Sequence, residues 1–107
     1  MIYSVDFDGV CCEDAWPEIG QAKLEHIEYL KKLHEHGEKL ILNTCREGKL
    51  LDNAVAWCAE HGLYFDAHNE NLPERIEQYG GDCRKISADV YFDDKNKLIE
   101  LEVRQEE

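Results

Sequence analysis

The chain has 107 residues, the size of one domain, and its 43% hydrophobic content is enough to build a core. Twenty-four acidic side chains against 12 basic ones give a formal net charge of -12, which argues against nucleic acid as the main partner, because that binding rests on cation contacts to phosphates. Apolar runs such as Leu40-Ile41-Leu42 are too short for a membrane, and Asp6 and Asp8 interrupt the place where a secretory leader is apolar, so a single cytoplasmic domain over residues 1–107 is expected.

Ile2 to Val5 is an apolar, β-branched run that predicts a first strand, ending in Asp6-Phe7-Asp8-Gly9. Residues 10–20, broken by Trp16-Pro17 and Gly20, read as irregular. Leu24, Ile27, Leu30 and Leu33 recur every three residues and predict a helix from about Gln21 to His36, with Gly37 as its cap. Lys39 to Asn43 is a second strand. Leu51, Ala54, Val55 and Cys58 form the apolar face of a helix over roughly Lys49 to His61, closed by Gly62. Leu63 to Ala67 reads as a third strand. Asn71 and Pro73 suit the start of a short helix ending at Gly80-Gly81, and Ala88 to Phe92 is a fourth strand. The tail is two-sided: Ile99, Leu101 and Val103 alternate as in a strand, while Leu98, Leu101 and Glu102 suit a helix turn.

Strands alternating with helices of this length predict an α/β fold with a mainly parallel sheet between helical layers, a three-layer α/β/α arrangement. The binding site of such a sheet lies beyond the carboxyl ends of the strands. The polar residues fall there: Asp6 and Asp8 after the first strand, Thr44 and Arg46 after the second, His68 and Asn69 after the third, Asp93 and Asp94 after the fourth. Four carboxylates gathered in this way repel one another unless a cation joins them, and Mg²⁺ is the usual hard ion where phosphate is the substrate. Cys11, Cys12, Cys45, Cys58 and Cys83 are odd in number and show no C-x-x-C spacing, which fits reduced thiols rather than a disulfide framework or zinc ribbon. Cys58 reads as core, Cys11 and Cys12 as flap packing or an oxidation-sensitive pair, and His26, His34 and His36 as surface residues.

These motifs resemble those of the haloacid dehalogenase (HAD) superfamily of phosphotransferases. Asp6-Phe7-Asp8-Gly9-Val10 matches its first motif, Thr44 its second, Lys85 is the candidate for its third, and Asp93-Asp94 after Val90-Tyr91-Phe92 matches its fourth. The resemblance spans residues 2 to 94 and implies a Rossmann-like core and a phosphatase. Asp6 would be the nucleophile that becomes an aspartyl phosphate, and Asp8 the general acid and then base. Thr44 and Lys85 would hold the phosphoryl group. Asp6, Asp8 through its carbonyl, Asp93 and Asp94 would hold Mg²⁺. Arg46, His68 and Asn69 are candidates for substrate contact, with a salt bridge from Arg46 to Glu47 or Asp52 as its alternative.

Neither gap between motifs has room for a cap domain, so the expected site is open, covered only by the flap of residues 10–20. A macromolecular substrate, a neighbouring subunit in a homo-oligomer, or slow chemistry would each reconcile an open site with the need to exclude water. The phosphorylated substrate, small molecule or macromolecule, is not named by the sequence. Two other readings are a receiver-like phosphoacceptor domain, whose motif order differs, and a catalytically weak relative that binds a partner protein.

Overall fold

The computed structural model describes residues 1–70, 72, 86–95 and 98–106. In chain order the elements are β1 (Ile2–Asp6), β2 (Cys12–Ala15), β3 (Glu18–Ala22), α1 (Leu24–Glu35), β4 (Lys39–Asn43), α2 (Gly48–Glu60), β5 (Ala67–His68), β6 (Val90–Phe92) and α3 (Leu98–Glu106). Four strands form a parallel sheet in the order β5-β4-β1-β6, and β2 and β3 form a separate antiparallel hairpin. The fold is thus mixed α/β, with β1 at the centre of its main sheet.

Side chains alternate across this sheet, and both faces are buried, as parallel strands require. Val5, Leu40, Leu42 and Phe92 join Ile27 and Leu30 of α1, Ala54 and Cys58 of α2, and Ile99 and Val103 of α3 in one core. Burying each large aliphatic or aromatic side chain is worth about 1.5–3 kcal/mol. Ile2, Ile41 and Ala67 enter a second core with Leu72 and Ile86. The order of the strands explains the division. From β1 to β4 to β5 the chain steps one way, so right-handed crossovers put α1 and α2 on one face. Leu72 and Ile86, which fall between β5 and β6 in the chain, pack on the other face with Ile2, Ile41 and Ala67. The helix predicted at Asn71 to Gly80 falls outside the described residues.

Several sequence expectations are corrected. The flap is a β-hairpin rather than irregular, turning through a cis Trp16–Pro17 bond. Gly20 is required there, because a Cβ at that position would overlap the Glu13 carbonyl across the hairpin. Because β3 takes residues up to Ala22, α1 begins at Leu24 rather than Gln21. The third strand is Ala67–His68 only; Leu63 is buried, but its N–H donates to Cys58 O (2.9 Å) at the end of α2. The fourth strand is limited to Val90–Phe92. The tail is a helix: Ile99 and Val103, four residues apart, are buried, while Leu101 is exposed. Among the described residues, no helix is long and apolar enough to cross a membrane.

Candidate active site

The parallel ladder decides which residues meet. Asp6 pairs in register with Asn43, so Thr44 lies one residue beyond the end of β4, beside Asp6. Val5 pairs with Phe92, which brings Asp93 and Asp94 to the same end of the sheet. Together with the flap these strand ends bound a cleft of about 410 Å³. Its lining, among the described residues, is Asp6, Phe7, Asp8, Asp14, Trp16, Asn43, Thr44, Cys45 and Asp94. A cleft of about 490 Å³ between the start of α1 and α3 shares none of these residues, and its mixture of Lys23, Glu25, Glu100 and Arg104 favours no one ligand charge.

Asp6 is half-buried, and its carboxyl is pushed up to about 6. Burial is the main cause, the charges of Asp93, Asp94 and Asp8 add to it, and a backbone hydrogen bond from Asp94 opposes it. This is the repulsion that a cation would relieve. Among the described residues no group of three or more His, Cys, Asp or Glu side chains converges as a ready metal cage. The implied Mg²⁺ set is of another kind: it uses a backbone carbonyl at Asp8 beside the carboxylates, and Mg²⁺ commonly keeps several waters. The donor chemistry therefore fits a magnesium ion.

Gly9 is part of this construction. Its φ is +88°, and a Cβ there would overlap the Cβ of Asp94. Gly9→Ala is therefore expected to destabilise the protein by about 1–3 kcal/mol, from the left-handed backbone and the displaced Asp94 together. A urea denaturation midpoint equal to that of the parent would contradict this account.

Arg46 has a different role from the one expected. It makes no bridge to Glu47 or Asp52 and is fully buried. Its Nε donates to Asp8 Oδ2 (2.9 Å) and its Nη2 to Asp8 Oδ1 (2.7 Å), a bidentate pair. Nη1 donates to Pro17 O (3.1 Å) and Nη2 also to Glu18 O (3.0 Å). The guanidinium lies 5.1 Å from the Phe7 ring centre and 5.0 Å from that of Trp16. The Asp8 carboxylate raises the Arg46 pKa, and Arg46 in turn fastens the flap to the strand end that carries Asp6 and Asp8.

Thr44 lines the cleft, and its Oγ1 accepts the Arg46 backbone N–H (3.2 Å). Asn69 is a brace for that loop: its Oδ1 accepts the Thr44 N–H (2.7 Å) and its Nδ2 donates to Arg46 O (3.4 Å). It adopts a positive φ of 53°. His68 packs edge-on to Phe65, and neither His68 nor Asn69 is among the lining residues. Asp93 accepts the Lys95 N–H (2.9 Å), while Asp94 faces the cleft. Lys85 lies outside the described residues.

Cys11, Cys12 and Cys58 are buried, Cys45 is exposed, and all four are free. A hydrogen bond with Cys58 and complete burial push the Cys11 thiol well up, which is the opposite of an activated thiolate. His26 is buried rather than on the surface, with Nδ1 2.8 Å from Val10 O; it anchors the flap's base alongside Lys23, whose Nζ donates to Gly9 O (3.0 Å).

No protein-family model and no curated protein matches the chain. Among solved structures, a conserved protein coded by a locus of Bacteroides thetaiotaomicron is similar at a TM-score of 0.82 and 37% identity, over 100% of this chain and 92% of that one.

Proposed function

We propose that this chain, which belongs to the same family as the conserved Bacteroides thetaiotaomicron protein, is a Mg²⁺-dependent phosphomonoesterase of the haloacid dehalogenase superfamily, with a three-layer Rossmann-like core, no cap domain and a cytoplasmic setting. The observation that carries this reading is the meeting of Asp6, Asp8, Thr44 and Asp94 in one cleft at the carboxyl end of the central strand. A carboxylate nucleophile, a second carboxyl for proton transfer and a hydroxyl for a phosphoryl oxygen are what the reaction needs.

An Asp6 oxygen attacks phosphorus as the bond to the leaving oxygen breaks, giving an aspartyl phosphate. Water then attacks that phosphorus and frees Asp6 and inorganic phosphate. Thr44 holds a phosphoryl oxygen, and Lys85 is proposed to hold another. Asp8 carries the proton to the leaving oxygen and later takes one from the water. Both of its oxygens accept from Arg46, so one of these bonds must loosen during the cycle. Mg²⁺, held by Asp6, the Asp8 carbonyl, Asp93 and Asp94 with water, would neutralise charge on the phosphoryl oxygens.

Hydrolysis of p-nitrophenyl phosphate should need Mg²⁺, stop with EDTA, and fall at least a thousandfold in Asp6→Asn. Activity that survives Asp6→Asn would rule out the nucleophile. The clasp on Asp8 also favours a second reading, a slow relative that binds a partner protein, which a uniformly poor kcat/KM over many phosphoesters would support.

A further inference from the structure

The flap side of the cleft carries an aromatic ring and a carboxylate on a rigid mount. Trp16 is 52% exposed, yet it is not loose. Its backbone N–H donates to Asp14 Oδ1 (3.2 Å), the next two residues are tied by their carbonyls to Arg46, and the Arg46 guanidinium underlies its ring. A half-exposed Trp fixed in this way loses little freedom when something stacks on it. Asp14 stands exposed beside it and lines the same cleft.

The carboxylates of the cleft point the same way. Of the four aspartates among its described lining residues, Asp6, Asp8 and Asp94 are assigned to the metal and the phosphoryl chemistry, which leaves Asp14 to the leaving group. Arg46 sits close behind, but it is fully buried, and its guanidinium makes four hydrogen bonds to Asp8, Pro17 and Glu18. A leaving group with a second phosphate or a carboxylate would meet the Asp14 carboxylate at the cleft wall. A cationic one would meet a carboxylate and a π face together.

We propose that Trp16 and Asp14 form a leaving-group subsite for a cationic alcohol, so that the substrate class is the phosphomonoester of an amino or quaternary ammonium alcohol. This rests on the phosphatase reading and deepens it.

The test compares kcat/KM for phosphocholine, its uncharged tert-butyl isostere and the anionic phosphoglycolate, with p-nitrophenyl phosphate as a reference. The expected order is cation, isostere, anion, with phosphocholine preferred over the isostere by about tenfold at low salt and less at high salt. Asp14→Asn and Trp16→Leu, each made alone, should bring that ratio towards one. Equal values for phosphocholine and its isostere in the parent protein, with Asp6-dependent hydrolysis of the aryl ester intact, would overturn the subsite and leave the phosphatase standing. Absence of Asp6-dependent hydrolysis of every ester would overturn both. The ratio in the parent protein decides the matter even where a variant fails to fold.

Discussion

Arg46→Met should destabilise the protein by about 3–5 kcal/mol, among the largest effects of any single change. The side chain is 1% exposed, and its removal leaves the Asp8 carboxylate without this partner and takes one donor each from the carbonyls of Pro17 and Glu18. An orphaned, partly buried charge is costlier than the loss of the pair as a whole, because the remaining ion keeps its desolvation penalty. The double variant Arg46→Met/Asp8→Asn should therefore recover part of the loss. Arg46→Lys should recover little, since one ammonium cannot serve a bidentate carboxylate and two carbonyls in a planar fork. Urea unfolding of the three variants gives the comparison. A cost below about 1 kcal/mol for Arg46→Met would show that Asp8 and the flap are held by something else.

Asp6→Asn should do two opposite things: abolish turnover and, without metal at neutral pH, raise stability. The Asp6 carboxyl is raised to about 6 from an ordinary value of 3.8. The folded protein thus binds this proton more tightly than the unfolded chain. The resulting contribution is complete below about pH 4, is lost as pH rises through about 6, and above that the folded state carries a disfavoured charge. Asp6 is only half-buried, so solvent screening cuts the gain from neutral Asn to about 1 kcal/mol, or a few degrees in Tm for a domain of this size. Melting curves in EDTA near pH 7 and pH 4.5 test the sign, since the difference between the two proteins should shrink at the lower pH. Other carboxylates titrate in both and cancel. A Tm difference that does not change with pH would refute this account of Asp6. Such a trade, stability given up where charge is gathered for chemistry, is common at functional sites.

Residue pattern revealed the elements that have a buried and an exposed side. Leu24 to Leu33 and Leu51 to Cys58 announce their helices, and the apolar runs ending at Asp6 and Asn43 announce the central strands. Because those strands are parallel neighbours, the sequence also placed Asp6 and Thr44 together. The hairpin was not legible for the converse reason. β2 has one buried residue in four and β3 has none, so no period-2 pattern exists to read. Its strands are held by backbone pairing and by Arg46, with only Cys12, Ile19 and Ala22 packing on the core. Arg46 itself was seen as a strand-end cation, but its true partner lies 38 residues away, while Glu47 and Asp52 lie nearby in sequence. A carboxylate at a neighbouring strand end was the available clue. Asn69 was placed at the right end of the sheet, yet only the structure shows it supporting Thr44 rather than facing the cleft.

The lengths of the strands bear on how this protein behaves at high concentration. Among the described residues, the two five-residue strands of the main sheet, β1 and β4, are interior, whereas its outer strands are β5, with two residues, and β6, with three. A border this short offers another chain little to extend, so association by continuing the sheet is suppressed. A second copy that shields the cleft would therefore have to dock through side chains, across a face, and would leave the ladder as it is.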